Sequence, residues 1–201
     1  IYISSIGVNG PPQVKPFSNL SDANPTELYA ISKLEAELAL AELVKITGLE
    51  VVIIRPPLVY GPGAPGNFKR LLKLSMLGIP LPLGAINNRR SFVALENLID
   101  LIIVCISHPN AGNQTFLVSD DQDVSTTELL QKMSKSFGKK AVLFPVPVAV
   151  LRFVGRIFGK SGEVDRLCGS LQVDIEHTKN TLNWKPPISM DEQLQTIAEL
   201  Y

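Results

Sequence analysis

The sequence predicts an α/β protein built on a parallel β-sheet. Residues 50–55 (Glu-Val-Val-Ile-Ile-Arg) form a short β-branched run of the kind buried on both faces of such a sheet. Extended and helical patterns alternate through the first 118 residues, as right-handed βαβ crossovers require. With 45% hydrophobic and 19% charged residues, the chain has the means to build a core and is not a disordered segment.

The elements follow in order. Residues 1–5 read as a strand closing on Ser4-Ser5, and the glycines and prolines between 7 and 25 make a loop. Thr26 is the expected cap of a long helix, rich in Ala, Leu, Glu and Lys, that runs to about Ile46 and stops at Gly48. After the 50–55 strand come a Pro/Gly-rich loop over 56–66, a short helix near 67–77, an irregular stretch over 78–88 and an extended piece at 90–93. A helix covers about 95–108 and a strand about 114–118. Ser125-Thr126-Thr127-Glu128 is a capping box that opens a helix to about Phe137. Residues 141–145 are strand-like, and 147–158 form an apolar helix with Arg152 and Arg156 four apart. Ser189 and Glu192 form a second capping box before the last helix.

Composition excludes several classes. Nineteen Lys and Arg balance nineteen Asp and Glu, so the basic excess of a nucleic-acid binder is missing and no nucleic-acid partner is expected. Cys105 and Cys168 cannot make a disulfide framework, which favours a reducing, cytoplasmic location. His108 and His177 leave little from which to build a zinc site, and no metal is expected. No apolar run reaches the roughly 20 residues of a membrane span. A membrane partner is not expected either. Two arginines on the short 147–158 helix make a weak electrostatic case, and packing against neighbouring helices is the expectation.

Two phosphate-site patterns are decoys. Gly61, Gly63 and Gly66 satisfy G-x-G-x-x-G, but Pro62 and Pro65 remove backbone donors that a phosphate cradle would use. No acidic residue follows to bind a ribose, because none occurs between Glu50 and Glu96. Gly159-Lys160-Ser161 imitates the end of a P-loop, but Gly155 is one residue too close and no strand precedes it.

The residues that carry chemistry are Tyr29 and Lys33, four apart on one face of the 26–46 helix. A phenol ordinarily titrates near 10, and a nearby ammonium favours the phenolate, bringing it towards acid–base use. Ser5, at the end of the first strand, can hold a substrate oxygen beside it. A Tyr-x-x-x-Lys pair alone is often only a solvated helix surface. A second feature points to an anionic substrate: Arg55, Lys69, Arg70, Lys73, Arg89 and Arg90 fall in the stretch without acids between Glu50 and Glu96.

Taken with Ser4-Ser5, the long loop, Tyr29-Ala30-Ile31-Ser32-Lys33 and Arg55-Pro56-Pro57-Leu58-Val59-Tyr60-Gly61-Pro62, the sequence resembles the extended short-chain dehydrogenase/reductase family, in particular its nucleotide-sugar epimerases, dehydratases and 4-keto reductases. The resemblance runs along almost the whole chain but covers only the later two-thirds of the usual family chain. It implies a partial doubly wound, Rossmann-type parallel sheet lacking its first strands, plus a smaller α+β substrate-binding domain. Residues 1–62 and 93–119 would be the remainder of the NAD(P)-binding domain, and 63–92 and 120–201 the nucleotide-sugar domain. The glycine loop would lie in about one hundred preceding residues.

By the same resemblance, Tyr29 is the catalytic acid/base. Lys33 stabilises its phenolate and binds the nicotinamide ribose, and Ser5 bonds the reacting sugar oxygen. The backbone at Pro56, Pro57 and Leu58 would lie near the nicotinamide. The family often has Asn where this chain has Leu58, so a polar substrate contact is not carried over there. Arg90 matches the diphosphate-binding arginine, Asn67 a residue that contacts the nucleotide, and Arg166 is a weaker match. Trp184 is read as a packing residue.

The activity implied is 4-epimerisation of a UDP-sugar with NAD or NADP. The alternative is NADPH-dependent reduction of a UDP-4-keto-6-deoxy sugar in surface-polysaccharide synthesis, which residues 113–129 also resemble. A third reading, of another class, is a non-catalytic binding module. The 201 residues alone are expected neither to bind NAD(P) tightly nor to turn over. The open edge of strand 1–5 is an expected route to a homo-oligomer.

Overall fold

The computed structural model describes residues 1–13 and 15–201. β1 (Tyr2–Ile3) leads through a 3₁₀ turn (Ile6–Asn9) and a long loop to α1 (Leu28–Thr47). β2 (Ile53–Arg55), β3 (Leu58–Tyr60), α2 (Asn67–Leu77), β4 (Phe92–Ala94), α3 (Leu95–Ser107) and β5 (Thr115–Leu117) follow. The remainder is helical: α4 (Thr126–Ser136), α5 (Val148–Ile157), α6 (Ser161–Cys168), α7 (Glu176–Leu182) and α8 (Met190–Glu199).

The three strands expected to pair do so in parallel, in the order β1-β2-β5. Tyr2 stands opposite Ile53, and Ile54 opposite Phe116, with Ile54 and Phe116 fully buried. The β-branched run is therefore the centre of the sheet. One core gathers around it, with Val52, Leu98, Leu101, Val118 and Trp184 among its members. The Trp184 indole donates to Asp100 Oδ2 at 2.7 Å, which fits the packing role.

Four expectations are corrected. The stretch 56–66 is not all loop: Leu58–Tyr60 is β3, paired in parallel with β4. Prolines on both sides mask this strand in the sequence, and its partner is remote, so no local pattern marks it. The extended piece at 90–93 moves to Phe92–Ala94, while Arg90 is held by single bridges to Val124 and Leu171. Residues 141–145 make one bridge, Leu81 to Leu143, and no strand. Thr26 does not cap α1; Glu27 occupies that position without a side-chain bond. The stop is as expected, with Gly48 at φ 70° returning its N–H to Val44. Both capping boxes form, at Ser125/Glu128 and Ser189/Glu192.

β3 and β4 belong to a second core with α2, α4 and α8, where Tyr60, Phe68, Phe92, Leu130, Met133 and Leu194 meet. A buried polar joint ties it to the main sheet. Asp120 accepts from Tyr60 Oη at 2.7 Å, from the Ala94 N–H at 2.8 Å and from Asn97 Nδ2 at 2.7 Å. Burial pushes the Asp120 carboxyl up, opposed by those bonds, and burial beside Asp120 drives the Tyr60 phenol far above its ordinary range. Tyr60 is thereby removed as a proton-transfer group. Among the described residues, no helix is long and apolar enough to cross a membrane, and no acidic, His or Cys cluster could hold a metal ion.

Candidate active site

The C-terminal end of β1 and the first turns of α1 meet. Ser4 donates its N–H to Ile54 at 2.7 Å, and Ser5 turns the chain out of the sheet as the cap of the 3₁₀ turn. The Ser5 hydroxyl accepts from the Gly7 N–H at 3.1 Å. Gly7 permits the close approach to α1: a Cβ there would lie 3.2 Å from Ala30 Cβ and 3.4 Å from Ser5 Oγ. Ala30 is one of only two fully buried residues of α1. The helix is thus seated on the serine turn directly beside Tyr29.

Tyr29 is 60% exposed, and the Lys33 ammonium sits 5.7 Å from its ring centroid, so the pair shares a face as the four-residue spacing predicts. The same ammonium is 4.9 Å from the Tyr2 ring and donates to the Ile3 carbonyl at 2.9 Å. Tyr2 and Ser4 direct their amides to β2, which leaves the Ile3 carbonyl on the outer edge of the sheet. Lys33 therefore satisfies that edge with a side chain, and no strand pairs there among the described residues.

Sequence reasoning missed the anchor beneath this pair. Glu37, one turn beyond Lys33 and the second fully buried residue of α1, accepts from Arg55 Nε at 3.0 Å and Nη2 at 2.5 Å. Arg55 also donates to Asn9 Oδ1 at 3.1 Å, and Asn9 Nδ2 donates to the Ser21 carbonyl at 2.9 Å. The network joins α1, β2, the 3₁₀ turn and the long loop. A cation closing an otherwise apolar strand was the available signal.

A second group converges elsewhere. Leu58, Asn67, Arg90 and Arg166 line one cavity of about 130 Å³, together with Phe92 and Thr126. Arg90 lies 5.9 Å from the Phe92 ring centroid and donates to the Arg166 carbonyl. Burial pushes its guanidinium below its ordinary value. No carboxylate pairs with it among the described residues, and it forms part of the cavity lining. Arg166 reaches Glu27 at 3.4 Å, immediately before α1. That surface pair adds little energy, but it shows that the cavity wall and the Tyr29 end of α1 are neighbours. Ser5, Tyr29, Lys33, Pro56 and Pro57 do not line this cavity; Pro56 and Pro57 are buried, with the Pro56 carbonyl accepting from the Ile6 N–H at 3.0 Å.

The residues present fit one end of a nicotinamide dinucleotide. Tyr29 is open to it, the Lys33 ammonium stands 5.7 Å from the Tyr29 ring centroid, and the buried Ser4 hydroxyl has no partner among the described residues. They do not fit the pyrophosphate end. A Cβ on Gly61 would come 3.0 Å from Leu95 Cβ, which makes Gly61 a packing glycine, and Gly63 and Gly66 take φ near 74° as turn residues.

A parallel sheet whose strand end carries a serine turn, seated against a Tyr-x-x-x-Lys helix, defines a protein of the extended short-chain dehydrogenase/reductase type. The comparisons refine this: the chain belongs to the NAD dependent epimerase/dehydratase family, whose model matches residues 1–119. It is 48% identical over 204 residues to a UDP-glucose 4-epimerase of Vibrio cholerae, covering 100% of this chain and 62% of that protein. It is 26% identical over 211 residues to a GDP-6-deoxy-D-mannose reductase of Pseudomonas aeruginosa, covering 98% of this chain and 64% of that one. Its fold matches the crystal structure of a UDP-N-acetylglucosamine 4-epimerase from Bacillus cereus with a TM-score of 0.77 at 17% identity, over 99% of this chain and 62% of the other. The chain thus spans under two-thirds of the length of these relatives.

Proposed function

We propose that the protein is an NAD(P)-dependent nucleotide-sugar epimerase acting at C4 of a UDP-sugar. The observation that carries this reading is the 48% identity to the Vibrio protein along the entire chain. In this reading Tyr29 moves the proton of the sugar hydroxyl, Ser5 holds that oxygen, and Lys33 steadies the phenolate and the nicotinamide ribose. The nicotinamide, when bound, supplies reversible hydride transfer, and the backbone at Pro56–Leu58 borders it. The cavity of Asn67, Arg90 and Arg166 takes the diphosphate and nucleotide. Residues 1–62 and 93–119 then serve the cofactor, and 63–92 and 120–201 the substrate. Incubating the full-length protein with UDP-glucose, without added cofactor, should yield UDP-galactose. An absence of product, with NADPH consumed instead on a 4-keto sugar, favours a reductase, the second reading supported by the Pseudomonas relative.

The diphosphate assignment has its own test. Replacing Arg90 with Ala removes a half-buried cation whose charge-assisted bonds are each worth about 1.5–3 kcal/mol. UDP affinity measured by calorimetry should fall about tenfold to a hundredfold. The exposed Arg89→Ala control should hold its affinity. Equal affinity in wild type and Arg90→Ala would remove Arg90 from the site.

A further inference from the structure

The expected packing of α5 is supplied by α6 and uses only one side of the helix. Val148 and Leu151 are half-buried, and Gly155 is fully buried, where a Cβ would come 2.7 Å from Val164 Cγ2. The opposite side is also apolar. Val150, Phe153, Val154 and Ile157 follow the i, i+3, i+4, i+7 spacing of a single helical stripe. All four are exposed, Phe153 at 64% and Ile157 at 63%, and Phe158 extends the stripe at 73%. Exposed aromatic and branched side chains in one continuous row mark an interaction surface.

The charge around the stripe identifies what it meets. Between Glu128 and Glu163 the chain carries seven basic residues and no acidic one, although its overall net charge is zero; of the seven, Lys132 on α4 is paired with Asp191 of α8 at 2.8 Å. On α5, Arg156 lies beside the stripe, Arg152 is turned towards α6, and Lys160 follows the helix. Arg152 is paired with Asp165 at 3.1 Å and Lys160 with Glu163 at 3.6 Å, while Arg156 has no carboxylate partner among the described residues. Val142 and Phe144 are exposed on the segment that enters α5, next to Lys139 and Lys140. A second copy of this chain is a poor occupant, because a twofold interface would set these cations against their own equivalents. An anionic surface with an apolar interior matches both features.

We propose that the outer face of α5 docks on an anionic lipid bilayer, with Phe153 and Ile157 entering the headgroup–acyl boundary and Arg156 meeting lipid phosphates. This reverses the expectation drawn from two arginines alone. It stands independently of the catalytic reading. Because α6 carries both the α5 contact and Arg166, docking would bring the 130 Å³ cavity close to the membrane surface.

Flotation of the full-length protein with phosphatidylglycerol vesicles and with phosphatidylcholine vesicles tests this. Wild type should float with the anionic vesicles, less at high salt, and little with the neutral ones. Phe153→Ser/Ile157→Ser should weaken that binding about tenfold or more, and Arg156→Glu should weaken it as well, with unchanged melting temperatures in both. The proposal is overturned by no flotation of wild type, by equal flotation of the variants, or by ultracentrifugation showing a wild-type dimer that the double variant dissolves.

Discussion

If the proposed reading holds, Tyr29→Phe in the full-length protein should lower kcat for epimerisation by about 10²–10⁴-fold, the range supplied by a positioned acid–base group. UDP affinity stays near wild type, because the cavity of Asn67, Arg90 and Arg166 does not include Tyr29. The other phenol near the strand ends, Tyr60, cannot substitute: it is buried, donates to Asp120, and is held in its protonated form. Because Tyr29 is largely exposed and loses only its hydroxyl, the substitution should leave the fold intact. Activity retained in Tyr29→Phe would remove the proposed chemistry from this helix altogether.

The largest stability effect falls on Glu37. Replacing it with Ala leaves the Arg55 guanidinium buried opposite no charge, which costs about 3–5 kcal/mol. For a chain of this size that lowers the melting temperature by about 6–20 °C. Replacing both partners with apolar residues of similar volume, as in Glu37→Leu/Arg55→Met, should recover most of the loss, since the pair costs much of what it returns. The double variant tells two roles apart. If the pair only stabilises the protein, recovery of melting temperature restores kcat. If it sets the position of Tyr29 and Lys33, kcat stays low. A single Glu37→Ala variant that melts as wild type would refute the anchoring role.

The legible parts of the fold were those whose cause is local. The β-branched run at 50–55, the Gly48 stop and the two Ser-x-x-Glu capping boxes each act within a few residues, and each appears where expected. What escaped depended on remote partners or weak signals. β3 exists because Leu58–Tyr60 finds Phe92–Ala94. α6 and α7 are only eight and seven residues long, too short to form without tertiary support. α5 was legible as a helix, but its apolar residues divide between an inward and an outward face, and only the placement of α6 decides which is which.

The same division runs through the candidate site. The sequence alone put Tyr29 and Lys33 on one face, because the helical repeat fixes that relation over four residues. Its run without acids also named an anion-attracting stretch. Tertiary structure decided that Arg90 and Arg166 share a cavity wall, that Arg166 reaches Glu27 at the start of α1, and that Glu37 and Arg55 lock that helix to the sheet. Helical and strand periodicities fix neighbours within an element. The order of strands and the packing of helices on them bring distant residues together, and that information is spread over the whole chain.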